Sequence, residues 1–509
     1  MIKRHAPRHA LLGLILVGSL GAFVAQSVLA DEAAVADPTQ ATQPTPALGS
    51  NLQTLKELDG KAPARRALNI QTWNTAEGTK VLFVESRELP MFDMRVIFAA
   101  GSSQDQKSPG IALLTNAMLN EGVKGKDVSA IAQGFEGLGA DFGNGSYRDM
   151  AVASLRSLSA VDKRDPALKL FGEVVGKPTF PADSLARLKN QLIDSLESQK
   201  QSPGAIGNKA LFERLYGDHP YAHPSEGNVK SINAITLAQL KAFHAKAYAA
   251  GNAVIALVGD LSRDEAQAIA AQVSASLPKG PALAKVADPV EPKAGPTHIE
   301  LASNQTHLML AQLGIDRNDP DYAALTVGNS VLGGGGFGSR LMTEVREKRG
   351  LAYGVSSGFT AMQVAGPFMI GLQTRAEMSE NTLKLVQDIV RDFLANGPTQ
   401  KELDDVKREL TGSFPLTAAS NSAIVGQLGA IGFYDLPLTY LEDYMAAAQS
   451  VTVEQVKAAM SKHLSADKMV IVSVGPTVEQ KPLPAPTDKP VRQPVGPRNT
   501  DGQSTSEGP

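Results

Sequence analysis

No cysteine occurs anywhere in the chain, which excludes disulfides, a thiol nucleophile and a lipid-attachment cysteine. The absence suits an oxidising compartment, where a stray thiol is a hazard. Histidine is also scarce: of eight in all, only His219, His223, His244, His298, His307 and His463 follow residue 30. An excess of one charge is missing too. Forty-nine Lys and Arg against 52 Asp and Glu give a net charge of −3, whereas a nucleic-acid binder usually presents a strongly basic face. After the first 25 residues no apolar run is long enough to cross a bilayer. There is no phosphate-binding Walker loop, no dinucleotide fingerprint and no defensible Ser-His-Asp arrangement.

What is present begins at the N-terminus. Lys3, Arg4 and Arg8 precede an apolar run from Ala10 to Ala25, followed by Ser27-Val28-Leu29-Ala30. A basic region, an apolar region and a small-residue cleavage site make residues 1–30 a predicted secretory signal. The competing reading, an uncleaved anchor, needs ~20 apolar residues and the run supplies fewer. The expected mature protein is periplasmic. Residues 31–67 are expected to be a flexible segment, 284–297 a linker and 477–509 a disordered tail. Pro, Thr, Gln and Ala crowd these stretches without apolar periodicity.

The linker divides two halves that resemble one another, expected at 68–283 and 298–476. A strand-like run through Met94-Arg95-Val96-Ile97-Phe98 leads to Gly101, a polar turn and a helical stretch over 110–119. In the second half His307-Leu308-Met309-Leu310 leads to Gly314, a polar turn and a helical stretch over 322–332. Each half closes on another strand, ending at Gly259 and Gly475. The glycine pairs 101/314 and 259/475 are 213 and 216 residues apart. So constant an offset points to duplication. Helical periodicity runs over 184–200, 205–215, 379–395, 400–410 and 453–463. The pattern predicts an α+β fold of two homologous α/β-sandwich halves, each a sheet flanked by helices.

A catalytic zinc site usually needs three protein ligands and one open position. The only His pair at i, i+4 spacing is His219 and His223. Pro220 and Pro224 prevent a regular helix there, so the spacing does not place both rings on one face.

Several segments resemble the pitrilysin/insulinase superfamily of zinc peptidases, in its two-domain, mitochondrial-processing-peptidase-like branch. That family carries an inverted His-x-x-Glu-His motif on an early helix, in a frame like G-L-A-H-x-x-E-H-M-L. Here the frame reads Gly110-Ile111-Ala112-Leu113-Leu114-Thr115-Asn116-Ala117-Met118-Leu119. Leu113 and Ala117 replace the two histidines, and Asn116 the general-base glutamate. The third ligand, a glutamate on a later helix, corresponds to Ala186, with Asp194 and Glu197 as alternatives in a loose alignment. Leu215-Tyr216-Gly217-Asp218-His219-Pro220-Tyr221 and Val258-Gly259-Asp260 match other family segments. The strongest match runs from Gly333-Gly334-Gly335-Gly336-Phe337-Gly338-Ser339-Arg340-Leu341 to Val345-Arg346-Glu347-Lys348-Arg349-Gly350-Leu351-Ala352-Tyr353.

The resemblance implies two halves closing like a clamshell, with no zinc and no peptidase activity in this chain alone. It places Arg346 and Tyr353 opposite a zinc site, with Gly334, Gly335, Gly336, Phe337 and Gly338 at the substrate. A tyrosine hydroxyl and an arginine fork suit the oxyanion or carbonyl formed in peptide hydrolysis. The implied partners are a homologous zinc-bearing subunit, which would hold the zinc, and an unfolded peptide added to a sheet edge. The rival functions are a peptide-binding or chaperone-like module without a catalytic partner and a structural core subunit. On residue type alone, Arg346 belongs to a solvated charged face and Tyr353 to a core edge.

Overall fold

Apolar runs, as at 81–84, 254–258 and 470–472, set central strands buried on both faces, and side-chain caps set many of the helix starts. The computed structural model describes residues 68–487. The predicted signal at 1–30, the 31–67 segment and the tail beyond Thr487 lie outside the described residues. The first half contains strands β1 (Gln71–Asn74), β2 (Lys80–Glu85) and β3 (Met91–Phe98), helix α1 (Ile111–Ala117), and a short hairpin of β4 (Gly122–Val123) and β5 (Lys126–Asp127). It continues through α2 (Val128–Glu136), β6 (Asp141–Ser146), β7 (Ala151–Leu158), α3 (Val161–Gly176), α4 (Ala182–Gln199) and α5 (Pro203–Tyr216). It closes with α6 (Val229–Ala234), α7 (Leu237–Ala247), β8 (Ala253–Gly259) and α8 (Arg263–Ser276).

The second half contains β9 (Gly295–Glu300), β10 (Gln305–Leu313), α9 (Tyr322–Asn329), β11 (Val355–Phe359), β12 (Pro367–Arg375) and α10 (Ser379–Asn396). There follow α11 (Gln400–Ser413), α12 (Asn421–Phe433), α13 (Tyr440–Ser450), α14 (Val453–His463) and β13 (Val470–Gly475). Strand β9 starts inside the stretch expected to be linker. Capping boxes open α7 (Thr236 with Gln239), α8 (Ser262 with Glu265), α11 (Thr399 with Glu402) and α14 (Thr452 with Gln455).

The two sheets share a five-strand topology, to which the first adds β1 at one edge. The first runs β1-β2-β8-β3-β7-β6 and the second, read from its far edge, β9-β13-β10-β12-β11. In each, one parallel pair (β2 with β8, β9 with β13) adjoins antiparallel strands. The glycines singled out in the sequence occupy equivalent close approaches. A Cβ on Gly101 would meet the backbone of Arg148 and Met150, and one on Gly314 would meet Gly366 and Phe368. Likewise, Gly259 crowds Met91 and Phe92, while Gly475 crowds Thr306.

Each half covers one face of its sheet with its own helices and exchanges a helix to cover the other. Phe171 and Val174 of α3, with Ile269 and Val273 of α8, pack on β3, β7 and β8. The opposite face of that sheet is buried by Ile424, Val425, Leu428 and Ile431 of α12, from the second half. Reciprocally, Leu211, Phe212 and Leu215 of α5 pack on Val470, Val472 and Val474 of the second sheet. Helix α12 approaches closely because Gly426, Gly429 and Gly432 face Arg95, Ile97 and Val254. Burying one large apolar side chain is worth about 1.5–3 kcal/mol, so the exchanged helices bind the halves strongly. The described residues accordingly belong to one compact unit.

A polar joint reinforces this exchange. Asp149 accepts hydrogen bonds from the Tyr221 hydroxyl and, at 2.9 Å, from the amide of Gln363 in the other half. Arg148 donates to the carbonyls of Tyr221 (2.6 Å) and His223 (3.0 Å) and lies over the Phe212 ring. The Tyr216 hydroxyl donates to Ala365 (3.2 Å), and Arg214 donates to Gly295 (2.7 Å) and to the Thr297 hydroxyl (2.6 Å). His219 lies in a non-helical turn, with Nε2 at 2.7 Å from the carbonyl of Ala287 in the connecting segment.

The first part of the tail, expected to be disordered, is instead pinned to the second half. Thr477 bonds to Glu300, the Lys481 amide donates to Glu377 at 2.6 Å, and the Thr487 amide donates to Lys348 at 3.0 Å. Leu483 packs against the second core. No helix among the described residues is long and apolar enough to cross a membrane.

Candidate functional site

The glycine-rich segment begins where α9 widens. Residues Ser330–Gly334 form a π-helical turn closed by the Gly335 amide on the Ser330 carbonyl at 2.9 Å. A second π turn, Met342–Glu347, is followed by the Lys348 amide on Thr343, also at 2.9 Å. Such turns are rare and recur at functional sites. Between them runs the sharp bend Gly336–Gly338, which Gly336 permits with φ of +60°.

The glycines divide into two sets. A Cβ on Gly333 would strike Ser357 and Leu341, one on Gly334 the Asn329 side chain, and one on Gly335 the Ser330 carbonyl. Gly334 and Gly335 are required by the chain's close return onto Asn329 and Ser330, and Gly333 by its packing against β11. Asn329 fixes that contact, donating to the Ser357 carbonyl at 3.1 Å and accepting from its hydroxyl at 2.7 Å. Gly336 and Gly338 face open space. Of the predicted glycines, these two are the ones another molecule can approach without a side chain in the way.

Phe337, Arg346 and Tyr353 come together although they lie on three different turns of chain. The Arg346 guanidinium carbon is 4.8 Å from the Phe337 ring centroid and 4.7 Å from that of Tyr353. Phe337 is 63% exposed and Tyr353 75%, so this is neither a core tyrosine nor a merely solvated charge. The neighbouring charges are occupied elsewhere: Glu344 pairs with Lys348 (2.7 Å) and Arg349 (2.6 Å). Among the described residues no carboxylate pairs with Arg346 and no side chain accepts a hydrogen bond from it. Arg340, in the same motif, has a different role. It clasps both Glu402 oxygens at 2.8 Å and the Gly397 carbonyl at 3.0 Å, tying the loop to α10 and α11.

The positions that correspond to a zinc motif do not fit a metal. Leu113 and Ala117 lie on α1, partly buried against Ile111, Leu114 and Met118. Asn116 is buried, donating to the Tyr248 hydroxyl at 3.2 Å and the Val152 carbonyl at 3.3 Å. Its own carbonyl accepts from Asn144 of β6 at 2.7 Å. Ala186 is exposed on α4, and Glu197 on the same helix pairs with Lys200 at 2.7 Å. Two side chains without lone pairs and an amide committed to the core offer no ligand set.

Elsewhere, Asp319, Asp321 and His463 approach one another closely enough to share a cation. Asp321 is already bonded to His463 (2.9 Å) and Lys462 (2.7 Å), so the group joins the start of α9 to the end of α14. Sequence reasoning missed Asp105, which is buried and accepts from the Gly110 amide (2.7 Å) and the Ala112 amide (2.9 Å) at the head of α1. Burial pushes its carboxyl up to about 7, against those two bonds and the Arg148 charge. It also missed Arg148 and Asp149, whose burial lowers the arginine and raises the aspartate. The sequence signal for them is a charged pair in the turn between β6 and β7, the hairpin at one edge of the first sheet.

Comparison with known proteins finds relatives of one family. A family model described as "Peptidase M16 inactive domain" matches residues 234–410. A Helicobacter pylori protein named "Non-peptidase homolog YmxG" is 28% identical over 410 residues, covering 80% of this chain and 94% of that protein. A Bacillus subtilis relative named an uncharacterized zinc protease is 22% identical over 411 residues, covering 80% and 98%. The crystal structure of a peptidase M16 inactive domain from Pseudomonas fluorescens shares 76% identity at a TM-score of 0.80. It covers 82% of this chain and is itself covered completely. A protease structure from Helicobacter pylori, at 18% identity and a TM-score of 0.74, shares the fold.

Proposed function

Since this chain belongs to the M16 peptidase family, as an inactive, non-catalytic homologue, we propose that it is the non-catalytic subunit of a two-chain, periplasmic zinc peptidase. The partner is a homologous subunit that carries the zinc and performs the hydrolysis. This chain supplies the opposite wall, where Arg346, Tyr353 and the turn at Gly336, Phe337 and Gly338 position an unfolded peptide.

The observation that carries this reading is the exposed group of Arg346, Phe337 and Tyr353 in a chain whose metal positions hold Leu113, Asn116 and Ala117. A guanidinium lying over two rings keeps a fixed orientation, and its N–H groups are left for an acceptor outside the described residues. A tyrosine hydroxyl beside it adds a donor for the charge that develops on a peptide carbonyl. Among the described residues the sheet edges β6 and β11 have no outer partner strand and run antiparallel to their neighbours, a form that accepts an added peptide strand.

The test begins with the purified chain and a zinc-bearing homologue from the same cell. The expected results are no stoichiometric zinc in this chain alone, and co-elution of the two on gel filtration as a 1:1 complex. Failure of the chains to associate at micromolar concentration would leave the peptide-binding module as the better description.

A further inference from the structure

We propose that residues 480–487 form a strap that positions the Arg346–Tyr353 segment, with Thr487 as its positioning residue. The inference rests on the functional reading above only for its effect on activity. The strap itself is read from the fold.

Three anchors define it. At one end, helix α10 starts at Ser379 after Met378, whose side chain offers the helix no acceptor. Gln480 supplies one: its Oε1 accepts from the Glu380 amide at 3.1 Å, while its Nε2 donates to Ala376 at 3.0 Å. A helix that leaves first-turn amides open has been capped by a distant residue. Lys481 continues the contact, its amide on Glu377 at 2.6 Å and its carbonyl accepting from Asn381 at 2.8 Å. In the middle, Leu483, between Pro482 and Pro484, packs half-buried against the second core. Pro482, Pro484 and Pro486 restrict φ, which keeps the stretch extended at little entropic loss. At the far end the Thr487 amide donates to the Lys348 carbonyl at 3.0 Å, and its hydroxyl to the same oxygen at 3.4 Å.

Lys348 closes the π turn that bears Arg346 and leads into Tyr353. Helix-end carbonyls lack intrahelical partners, and Thr487 satisfies this one from outside. The segment is held on its inner side by the Gly350 amide on Arg346 (2.8 Å), the Leu351 amide on Val345 (2.9 Å), and the Thr374 hydroxyl on Leu351 (2.8 Å). Strap and core therefore grip the same short stretch from opposite ends of its hydrogen-bond ladder. A proline-rich tail with no role in the core would not need anchors at both ends.

The test uses the full chain with Thr487→Pro, which removes both donors, and Thr487→Ser, which keeps them. Hydrogen exchange is followed at the amides of Lys348, Gly350 and Leu351. Thr487→Pro is expected to speed exchange there about fivefold, as loss of one outer hydrogen bond implies. Amides of β8 should be unchanged and Thr487→Ser should exchange like the parent. In the two-chain mixture, Thr487→Pro should lower kcat more than it raises KM. Faster exchange with an unaltered mixture that shows no activity would uphold the strap and remove the composite-site reading. Unchanged exchange in Thr487→Pro, or a Thr487→Ser chain that behaves like it, would overturn the strap.

Discussion

The guanidinium carbon of Arg346 lies 4.7 Å from the centroid of the Tyr353 ring, seven residues further along the chain. With Phe337 at 4.8 Å from the same carbon, the orientation of the arginine is set by ring faces rather than by a carboxylate. That distinguishes it from Arg340, whose fork is held by Glu402.

Arg346→Lys should therefore behave nearly like Arg346→Ala. Lysine keeps the charge but has no plane to lay over the rings and no fork to present. In the mixed peptidase both variants should lower kcat/KM by about 10²-fold, the usual scale for losing one donor to a developing oxyanion. Thermal stability should change by less than about 1 kcal/mol, since the contact is exposed. A Lys variant with parental kinetics would show that charge alone suffices.

The two sets of glycines should separate in a stability measurement. Gly333→Ala puts a Cβ against Ser357 and Leu341 and should destabilise by about 1–3 kcal/mol. Gly338→Ala meets open space and should leave the urea midpoint within about 0.5 kcal/mol of the parent. Any loss of mixed activity in Gly338→Ala would then report on approach of another molecule.

The joint between the halves predicts a single cooperative unfolding transition. Removing the Tyr221 hydroxyl with Tyr221→Phe leaves a buried Asp149 oxygen short of a donor. The expected loss is about 1–3 kcal/mol, seen as a shift of the whole transition. Two separated transitions would contradict the helix exchange of α5 and α12.

Asp105 gives a pH signature with a definite sign. Its carboxyl rises from an ordinary 3.8 to about 7 because burial disfavours the charge. Between those values the folded chain holds a proton that the unfolded chain has released, so its contribution to stability falls as pH rises through that window. Full ionisation removes ~4 kcal/mol at most, at 1.36 kcal/mol per pH decade. Asp105→Asn lacks this dependence. Denaturant curves at pH 5 and pH 8 should show the variant gaining on the parent as pH rises. His244, lowered by burial, acts in the opposite direction in both proteins and cancels in the comparison. His223, also lowered by burial, has its Nδ1 4.0 Å from the Asp105 carboxylate and does not cancel, so both chains carry His223→Gln for this measurement.

The duplication was readable because glycine is the only residue tolerated where two strands cross closely, so Gly101, Gly314, Gly259 and Gly475 mark equivalent backbone positions. The helices over 379–395 and 453–463 were readable from their apolar period, and α14 runs as expected from Val453 to His463. The exchange of α5 and α12 was not readable. An apolar stripe on Leu211 and Leu215 states that a helix is buried, not which sheet it covers. The joint at Arg148 and Asp149 was hidden for the same reason, since its partner Gln363 lies more than two hundred residues away. Residues 477–487 depart from the expected disorder because proline-rich composition matches disorder, whereas three anchors, at Gln480, Leu483 and Thr487, are enough to fix an already extended chain. At the site, Arg346 and Tyr353 were found through a family motif, and nothing in their local sequence indicated that Phe337 would share the arginine.

The most direct measurement of the central claim is hydrolysis of a quenched peptide by this chain alone, its zinc-bearing homologue alone, and the two mixed. The account predicts cleavage only in the mixture, reduced about 10²-fold by Arg346→Ala or Tyr353→Phe in this chain. A mixture no more active than the homologue alone, and indifferent to both substitutions, would contradict it.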